Sequence, residues 1–181
     1  MSRFDLVVIG SGPAGKSAAI QAAKLHRKVL IVERNLRVGG VSVHTGTIPS
    51  KTLRETALNL SGWRERSFYG RSYRAQEQIQ SKDLMARLHK TLDYEVDVLE
   101  YQFTRNRVEM MQGSARFVDK NSIEVTAIDG ETCIIESDAF LISTGTRPFR
   151  PDYVPFNGTT IFDSDGLLEL PSIPRSLIVV G

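Results

Sequence analysis

Leu6-Val7-Val8-Ile9-Gly10-Ser11-Gly12-Pro13-Ala14-Gly15 is the stretch that decides the fold. Four apolar residues ending on a glycine read as a strand buried on both faces, as in a parallel sheet. The three glycines have separate tasks. Gly10 permits a tight turn, Gly12 lets the backbone approach a pyrophosphate, and Gly15 lets the next helix lie close on the strand. That helix, Gly12 to about Leu25, carries the small residues Ala18, Ala19, Ala22 and Ala23 on its way to a second apolar run, Val29-Leu30-Ile31-Val32. Strand, helix and strand together form a βαβ unit. The helix N-terminus offers free N–H groups and a positive dipole to phosphates. Glu33 closes the second strand about 20 residues on, where an acid accepts hydrogen bonds from a ribose diol. An acid at this position argues against a 2′-phosphate, but the fingerprint by itself does not separate FAD from NAD.

Outside this unit the chain is less regular. Residues 34–50 show no period and read as a glycine-rich loop. Pro49-Ser50-Lys51 reads as a helix start, with Ser50 a cap and Leu53, Ala57, Leu58 and Leu60 on one face. Arg64 to Arg74 reads as a polar surface excursion. From Ser81 a long helix is predicted to about Phe103, with Leu84, Leu88, Leu92, Val96, Leu99 and Phe103 packing on its own domain. The pattern then switches to period two. Val108–Met111, Ala115–Val118, Ser122–Ala127, Cys133–Glu136 and Ala139–Ser143 read as a β-meander that returns to the parallel sheet, with turns at Asp119-Lys120-Asn121 and Asp129-Gly130. The tail from Arg147 is proline-rich, apart from a helical turn expected within Asp163–Leu170.

Composition limits the partners. The 181 residues carry 23 basic and 21 acidic side chains, a formal net charge of +2 that gives no support for nucleic-acid or polybasic membrane binding. Trp63 and Tyr69 with Arg64, Arg66, Arg71 and Arg74 suggest an RNA-stacking surface, but the interspersed Glu65 favours a solvated excursion. No apolar run approaches the roughly 18 residues of a membrane span. Arg3 and Asp5 argue against a signal peptide. A single cysteine, Cys133, excludes an internal disulfide and fits a reducing, cytoplasmic setting; it reads as a strand residue. His44 reads as a hydrogen-bonded loop histidine. No metal site is expected.

A second motif is Gly39-Gly40-Val41-Ser42, followed by Gly46-Thr47-Ile48-Pro49-Ser50-Lys51. With Gly113-Ser114-Ala115-Arg116-Phe117 and Ser143-Thr144-Gly145-Thr146-Arg147-Pro148, it resembles the flavin domain of the pyridine nucleotide-disulfide oxidoreductases. Ser42 and Thr47 stand where that family carries its redox cysteine pair. Without both thiols, no dithiol–disulfide relay forms. Hydride exchange between flavin and nicotinamide remains, and Gly46 to Lys51 resembles the soluble FAD-dependent transhydrogenase branch.

The resemblance implies a Rossmann-like α/β domain, a parallel sheet with helices plus a small antiparallel β-meander. It implies FAD contacts from Gly10, Ser11, Gly12, Pro13, Ala14, Gly15, Glu33, Arg34, Gly39, Gly40, Val41, Ser42, Gly46, Thr47, Lys51, Ala115, Thr144 and Gly145. Lys51 and Thr47 would be the catalytic residues, Lys51 near flavin N5. Residues 1–150 would form the FAD-binding domain and 151–175 a linker. Residues 176–181, shaped like Leu6 to Gly10, would be the first strand of a further NAD(P)-binding domain, so the chain is expected to be the front of a longer protein. That whole protein would be a homo-oligomer using NADPH and NAD+. The alternatives are a cysteine-free diaphorase or quinone reductase, and a non-catalytic FAD-binding module.

Overall fold

The computed structural model describes residues 3–63, 68–70 and 80–180. The chain divides into two compact units, Met1–His44 with Tyr94–Arg147, and Thr45–Asp93 with Pro148–Gly181.

The first unit is built on one sheet. Its strands are β1 (Arg3–Ile9), β2 (Val29–Glu33), β3 (Glu109–Gln112), β4 (Ser114–Asp119), β5 (Ser122–Thr126) and β6 (Thr132–Ile142), in the order β3-β2-β1-β6-β5-β4. Helix α1 (Pro13–Lys24) connects β1 to its parallel neighbour β2, as the βαβ reading requires. Val7, Leu30 and Val32 point to one face of the sheet. There they pack with Phe4 of β1 and with Ile123, Val125 and Ile135 of the antiparallel strands, and this cluster is the core between the parallel and antiparallel parts. Val8 and Ile31 are also fully buried, and strand alternation puts them on the opposite face, the side of α1 and its buried Ala19.

The meander expected from 108 to 143 is corrected at both ends. Its first strand, β3, belongs to the parallel sheet, pairing Leu30 with Glu109 and Glu33 with Gln112. Its last two strands are one, the 11-residue β6. The N-terminal half of β6 pairs antiparallel with β5, and its C-terminal half pairs parallel with β1. Ser137-Asp138 resembles a break in the sequence. The chain runs through it because Ser137 is buried and its hydroxyl lies 3.2 Å from the Phe4 carbonyl and 2.8 Å from that of Ala139. The two turns fall where expected. Asp119 Oδ1 accepts the Asn121 amide at 2.7 Å, and Asp129 Oδ1 accepts that of Glu131 at 3.0 Å.

Only Gly113 separates β3 from β4, although these strands lie at opposite edges of the sheet order. Its amide still donates to the Glu33 carbonyl, at 2.9 Å.

Further helices are α2 (Gly40–His44), α3 (Thr47–Ser61) and α4 (Ser81–Arg105). The stretch 34–50 is therefore not all loop. Helix α3 starts two residues before Pro49, with Gly46 as its N-cap and no side-chain cap. Ser50 is not the cap; its hydroxyl bonds back to the Thr47 carbonyl at 3.2 Å. The expected face of α3 also shifts, because Ala57 is exposed and Thr56 is buried with its hydroxyl on the Thr52 carbonyl at 2.7 Å. On α4, Leu88, Val96, Leu99 and Phe103 are buried, in keeping with a helix that packs within the chain.

In the second unit, Gly166–Glu169 forms the expected turn as a 3-10 helix. Asp163 anchors it by accepting the Asp165 and Gly166 amides and pairing with Arg150 at 2.7 Å. Residues 176–180 pair with no strand among the described residues, and Ile178, Val179 and Val180 are almost fully exposed. Arg64, Arg66, Arg71 and Arg74 lie outside the described residues; Trp63 and Phe68 to Gly70 are exposed.

A Cβ on Gly113 would stand 2.6 Å from the Thr126 carbonyl oxygen and 2.7 Å from Val125 Cγ1. Gly113→Ala is therefore expected to lower stability by about 1–3 kcal/mol through overpacking, read as an earlier urea midpoint at unchanged slope.

Candidate functional site

The C-terminal ends of β1 and β6 and the start of α1 converge on one point. Gly10, at φ +105°, is the tight turn. A side chain there would overlap the Ser143 backbone, and one on Gly15 would overlap the Gly10 carbonyl. Ser143 holds the junction. Its amide donates to the Ile9 carbonyl at 2.9 Å, and its hydroxyl lies 3.0 Å from the carbonyls of both Ile9 and Gly10. Gly10 and Gly15 are thus required by the protein's own packing.

Gly12 is different. Its φ of −65° suits any residue, and a Cβ there would meet nothing nearer than Gly40 Cα, at an ordinary 4.0 Å. The fold supplies no reason for glycine at this position. Gly12 is the N-cap of α1, no side chain caps that helix, and no acidic residue lies in its first turn. Its leading N–H groups and positive dipole end are left for an anion. The Gly39-Gly40 pair closes on the same point. Both residues have positive φ, and a Cβ on Gly40 would stand 3.0 Å from Gly12 Cα.

Glu33 is the acid of this site, only 6% exposed at the end of β2. Its Oε2 accepts the Ser11 amide at 2.9 Å and the Ser11 hydroxyl at 2.6 Å, and its Oε1 accepts the Asn35 amide at 2.9 Å. The same Ser11 hydroxyl accepts the Gly39 amide at 3.0 Å. Burial by itself pushes the Glu33 carboxyl up. The Ser11 hydroxyl, the Asn35 and Ser11 amides and the Arg34 charge outweigh it and hold the group below the ordinary glutamate value. Beside Glu33 opens a cavity of about 370 Å³, lined by Asn35, Leu36, Val38, Glu100, Phe103, Met110 and Gln112 among others.

The first unit thus brings together Gly10 to Gly15, Glu33, Gly39 and Gly40. Pro13, Ala14, Arg34 and Val41 are exposed nearby in sequence, and Ser42 is half-buried on α2. Ala115 is half-buried against the core, while Thr144 and Gly145 are exposed just beyond β6. Gly46, Thr47 and Lys51 belong to the second unit. Thr47 and Lys51 are exposed in the first turns of α3, four residues apart and so on one face. His44 is hydrogen-bonded as expected, its Nε2 being 2.8 Å from the Val38 carbonyl, but it is the last residue of helix α2 and not a loop residue. Cys133 is exposed, with its sulfur 3.7 Å from that of Met111. Asn35 and Ser143 were not among the expected site residues. Ser143 stood within the quoted Ser-Thr-Gly-Thr segment, whereas nothing in the sequence pointed to the Asn35 amide.

A βαβ unit, a glycine turn at the strand ends and a buried acid after the second strand define a dinucleotide-binding α/β domain. Comparison with known proteins narrows this. The family model described as pyridine nucleotide-disulphide oxidoreductase matches residues 4–181, and the chain belongs to that family. It is 49% identical over 182 residues to the soluble pyridine nucleotide transhydrogenase of Mycobacterium bovis (strain BCG / Pasteur 1173P2), covering 100% of this chain and 39% of the relative. The protein of the same name from Colwellia psychrerythraea is 35% identical over 178 residues, covering 98% of this chain and 38% of the relative. The chain thus spans about two-fifths of the length of these curated relatives. Among solved structures, the Cu(II) complex of the HOCl-induced flavoprotein disulfide reductase RclA from Escherichia coli shares the fold. The match has a TM-score of 0.74 at 24% identity, covering 94% of this chain and 35% of that one. Among the described residues no helix is long and apolar enough to cross a membrane.

Because the folded Glu33 value is depressed, its carboxylate contributes stability that is complete above the ordinary glutamate value and is lost as pH falls through the folded one. Glu33→Gln cannot accept at both positions; its NH2 must face the Ser11 or the Asn35 amide. The variant is expected to be less stable by about 1–3 kcal/mol at neutral pH. Urea titrations across pH should show the gap closing below about pH 4.

Proposed function

We propose that this chain is the flavin-holding part of a soluble, FAD-dependent pyridine nucleotide transhydrogenase that exchanges hydride between NADPH and NAD+. The observation that carries the reading is Gly12, a glycine with no packing reason at the mouth of a helix with no side-chain cap. Close approach of a diphosphate is the reason that remains. Glu33 and the cavity beside it suit the adenosine end, and a buried carboxylate there disfavours a 2′-phosphate. The likeness to named transhydrogenases along the whole chain selects among flavin enzymes. Ser42 and Thr47 in place of the cysteine pair speak against a disulfide substrate.

When bound, FAD supplies a ring able to accept a hydride from one nicotinamide and return it to another. The chain's own residues bind and orient. The first-turn amides of α1 hold the diphosphate, Gly39 to Ser42 line the ribityl chain and the diphosphate, the strand carrying Ala115 lies beside the adenine, and Arg34, Thr144 and Gly145 are further cofactor contacts. Lys51 brings an ammonium charge that favours an anionic ring. Thr47, on the same face of α3, spaces the ring or donates a hydrogen bond, because its hydroxyl does not ionise at neutral pH. Residues 1–150 form the flavin domain and 151–175 a linker. Residues 176–181 are the first strand of an NAD(P)-binding domain, which accounts for the exposed Ile178 to Val180. The whole protein works in the cytoplasm as a homo-oligomer.

The whole protein is expected to purify yellow and to reduce a thio-NAD analogue with NADPH. Activity toward quinones alone would instead identify a diaphorase. Gly12→Ala should change folding stability by no more than about 1 kcal/mol, since cap and chain-entropy effects oppose each other. It should nevertheless lose FAD, as read by flavin absorbance after gel filtration. Gly15→Ala should fail at folding itself.

A further inference from the structure

We propose that the Ser11 hydroxyl is a positioning group for the cofactor, holding Glu33 and the Gly39-Gly40 turn in the arrangement that receives the adenosine and diphosphate end of FAD. The proposal rests on the FAD reading above and concerns a group that the fingerprint does not require. The spacing of the glycines asks nothing of the side chain at position 11, and glycine or alanine would make the same turn. Here the side chain is a hydroxyl, 1% exposed, with both of its capacities used. Its proton goes to Glu33 Oε2 at 2.6 Å, and its oxygen accepts the buried Gly39 amide at 3.0 Å.

Two consequences follow from counting donors and acceptors. A carboxylate has about four acceptor positions, two on each oxygen. The Ser11 amide and hydroxyl fill both on Oε2, and the Asn35 amide fills one on Oε1. One position on Oε1 remains, so Glu33 takes a single ribose hydroxyl and its other oxygen is fixed inward as a brace. Removal of the Ser11 hydroxyl would also leave the buried Gly39 N–H without its acceptor, at a residue already held at φ +114°. Gly39 precedes Gly40, which packs directly on Gly12. Loosening at Ser11 therefore reaches both the ribose acceptor and the diphosphate approach through direct contacts.

The test is FAD binding by the whole protein stripped of flavin, followed by flavin fluorescence, with the melting temperature of each flavin-free variant measured alongside. Ser11→Ala is expected to bind FAD about tenfold or more weakly while still melting cooperatively, at a flavin-free melting temperature below the parent's because Glu33 and the Gly39 N–H each lose a buried partner. Ser11→Cys, near in size and still a weak donor, should recover part of the loss. Ser11→Ala combined with Glu33→Gln should lose less than the product of the two single losses, because the variants share the Ser11–Glu33 bond while the Gly39 contact belongs to Ser11 alone. If Ser11→Ala does not fold, Ser11→Gly takes its place. Binding within about twofold of the parent, or losses that multiply in the double variant, would overturn the role of Ser11. A parent protein that takes up no FAD overturns the cofactor reading itself and this role with it, and that outcome is visible in the parent titration alone.

Discussion

Backbone contact at the ends of β1, β6 and α1 is the constraint on which the first unit depends. Neither Gly10 nor Gly15 has room for a single extra carbon, because the Ser143 backbone and the Gly10 carbonyl already occupy the space. Helix α1 must therefore start directly against the strand ends. This contact also sets β6 beside β1, with Ile9 opposite Ile142. β1 thus has β2 on one side, reached through α1, and β6 on the other, reached from the antiparallel strand β5, so the strand order breaks at β1. Open α/β sheets bind ligands at such a switch point, outside the carboxyl ends of the strands. Tight packing and an anion-receptive helix start are here consequences of one geometry.

A buried carboxylate at the end of a parallel strand is costly unless every charge-bearing oxygen is satisfied. Glu33 meets that condition with local groups, two from the turn after β1 and one from the turn after β2. The network couples loops that are distant in sequence. Ser11 lies 22 residues before Glu33 and 28 before Gly39, yet its hydroxyl touches both. The acid expected to recognise a ribose is therefore also a structural brace. Its ionisation belongs to the folded state before any ligand arrives.

Much of this was legible in the sequence, and the failures have physical causes. The βαβ unit, the long helix and the turns at 119–121 and 129–130 were readable because apolar period and turn chemistry agree there. The strand boundary at Ser137 was misread because a buried serine bonded to a neighbouring carbonyl looks, in sequence, like a solvated break. β3 was assigned to the meander because period two is common to parallel and antiparallel strands; only the partner strand distinguishes them. The start of α3 was placed late because Gly46 gives no side-chain cap to recognise. Glu33 and Ser11 were both read as cofactor contacts, but their bonds to each other and the Asn35 amide were not foreseen, since two of the three Glu33 hydrogen bonds come from backbone amides that carry no sequence signature.

The glycines show most clearly what coordinates add. In sequence, Gly10, Gly12 and Gly15 are equivalent members of one fingerprint. In the structure, two of them are fixed by clashes that any side chain would make with the protein itself, and they would be needed whether or not anything bound. Gly12 alone has an ordinary φ and open space where a Cβ would stand. A residue held to glycine by neither conformation nor internal packing points to a contact outside the chain. It lies where the α1 amides face outward and where Gly40 has been brought within contact distance. The electrostatics of the helix start and the sterics of two glycine turns select the same small volume, and an anion with a slender backbone-hugging shape fits it.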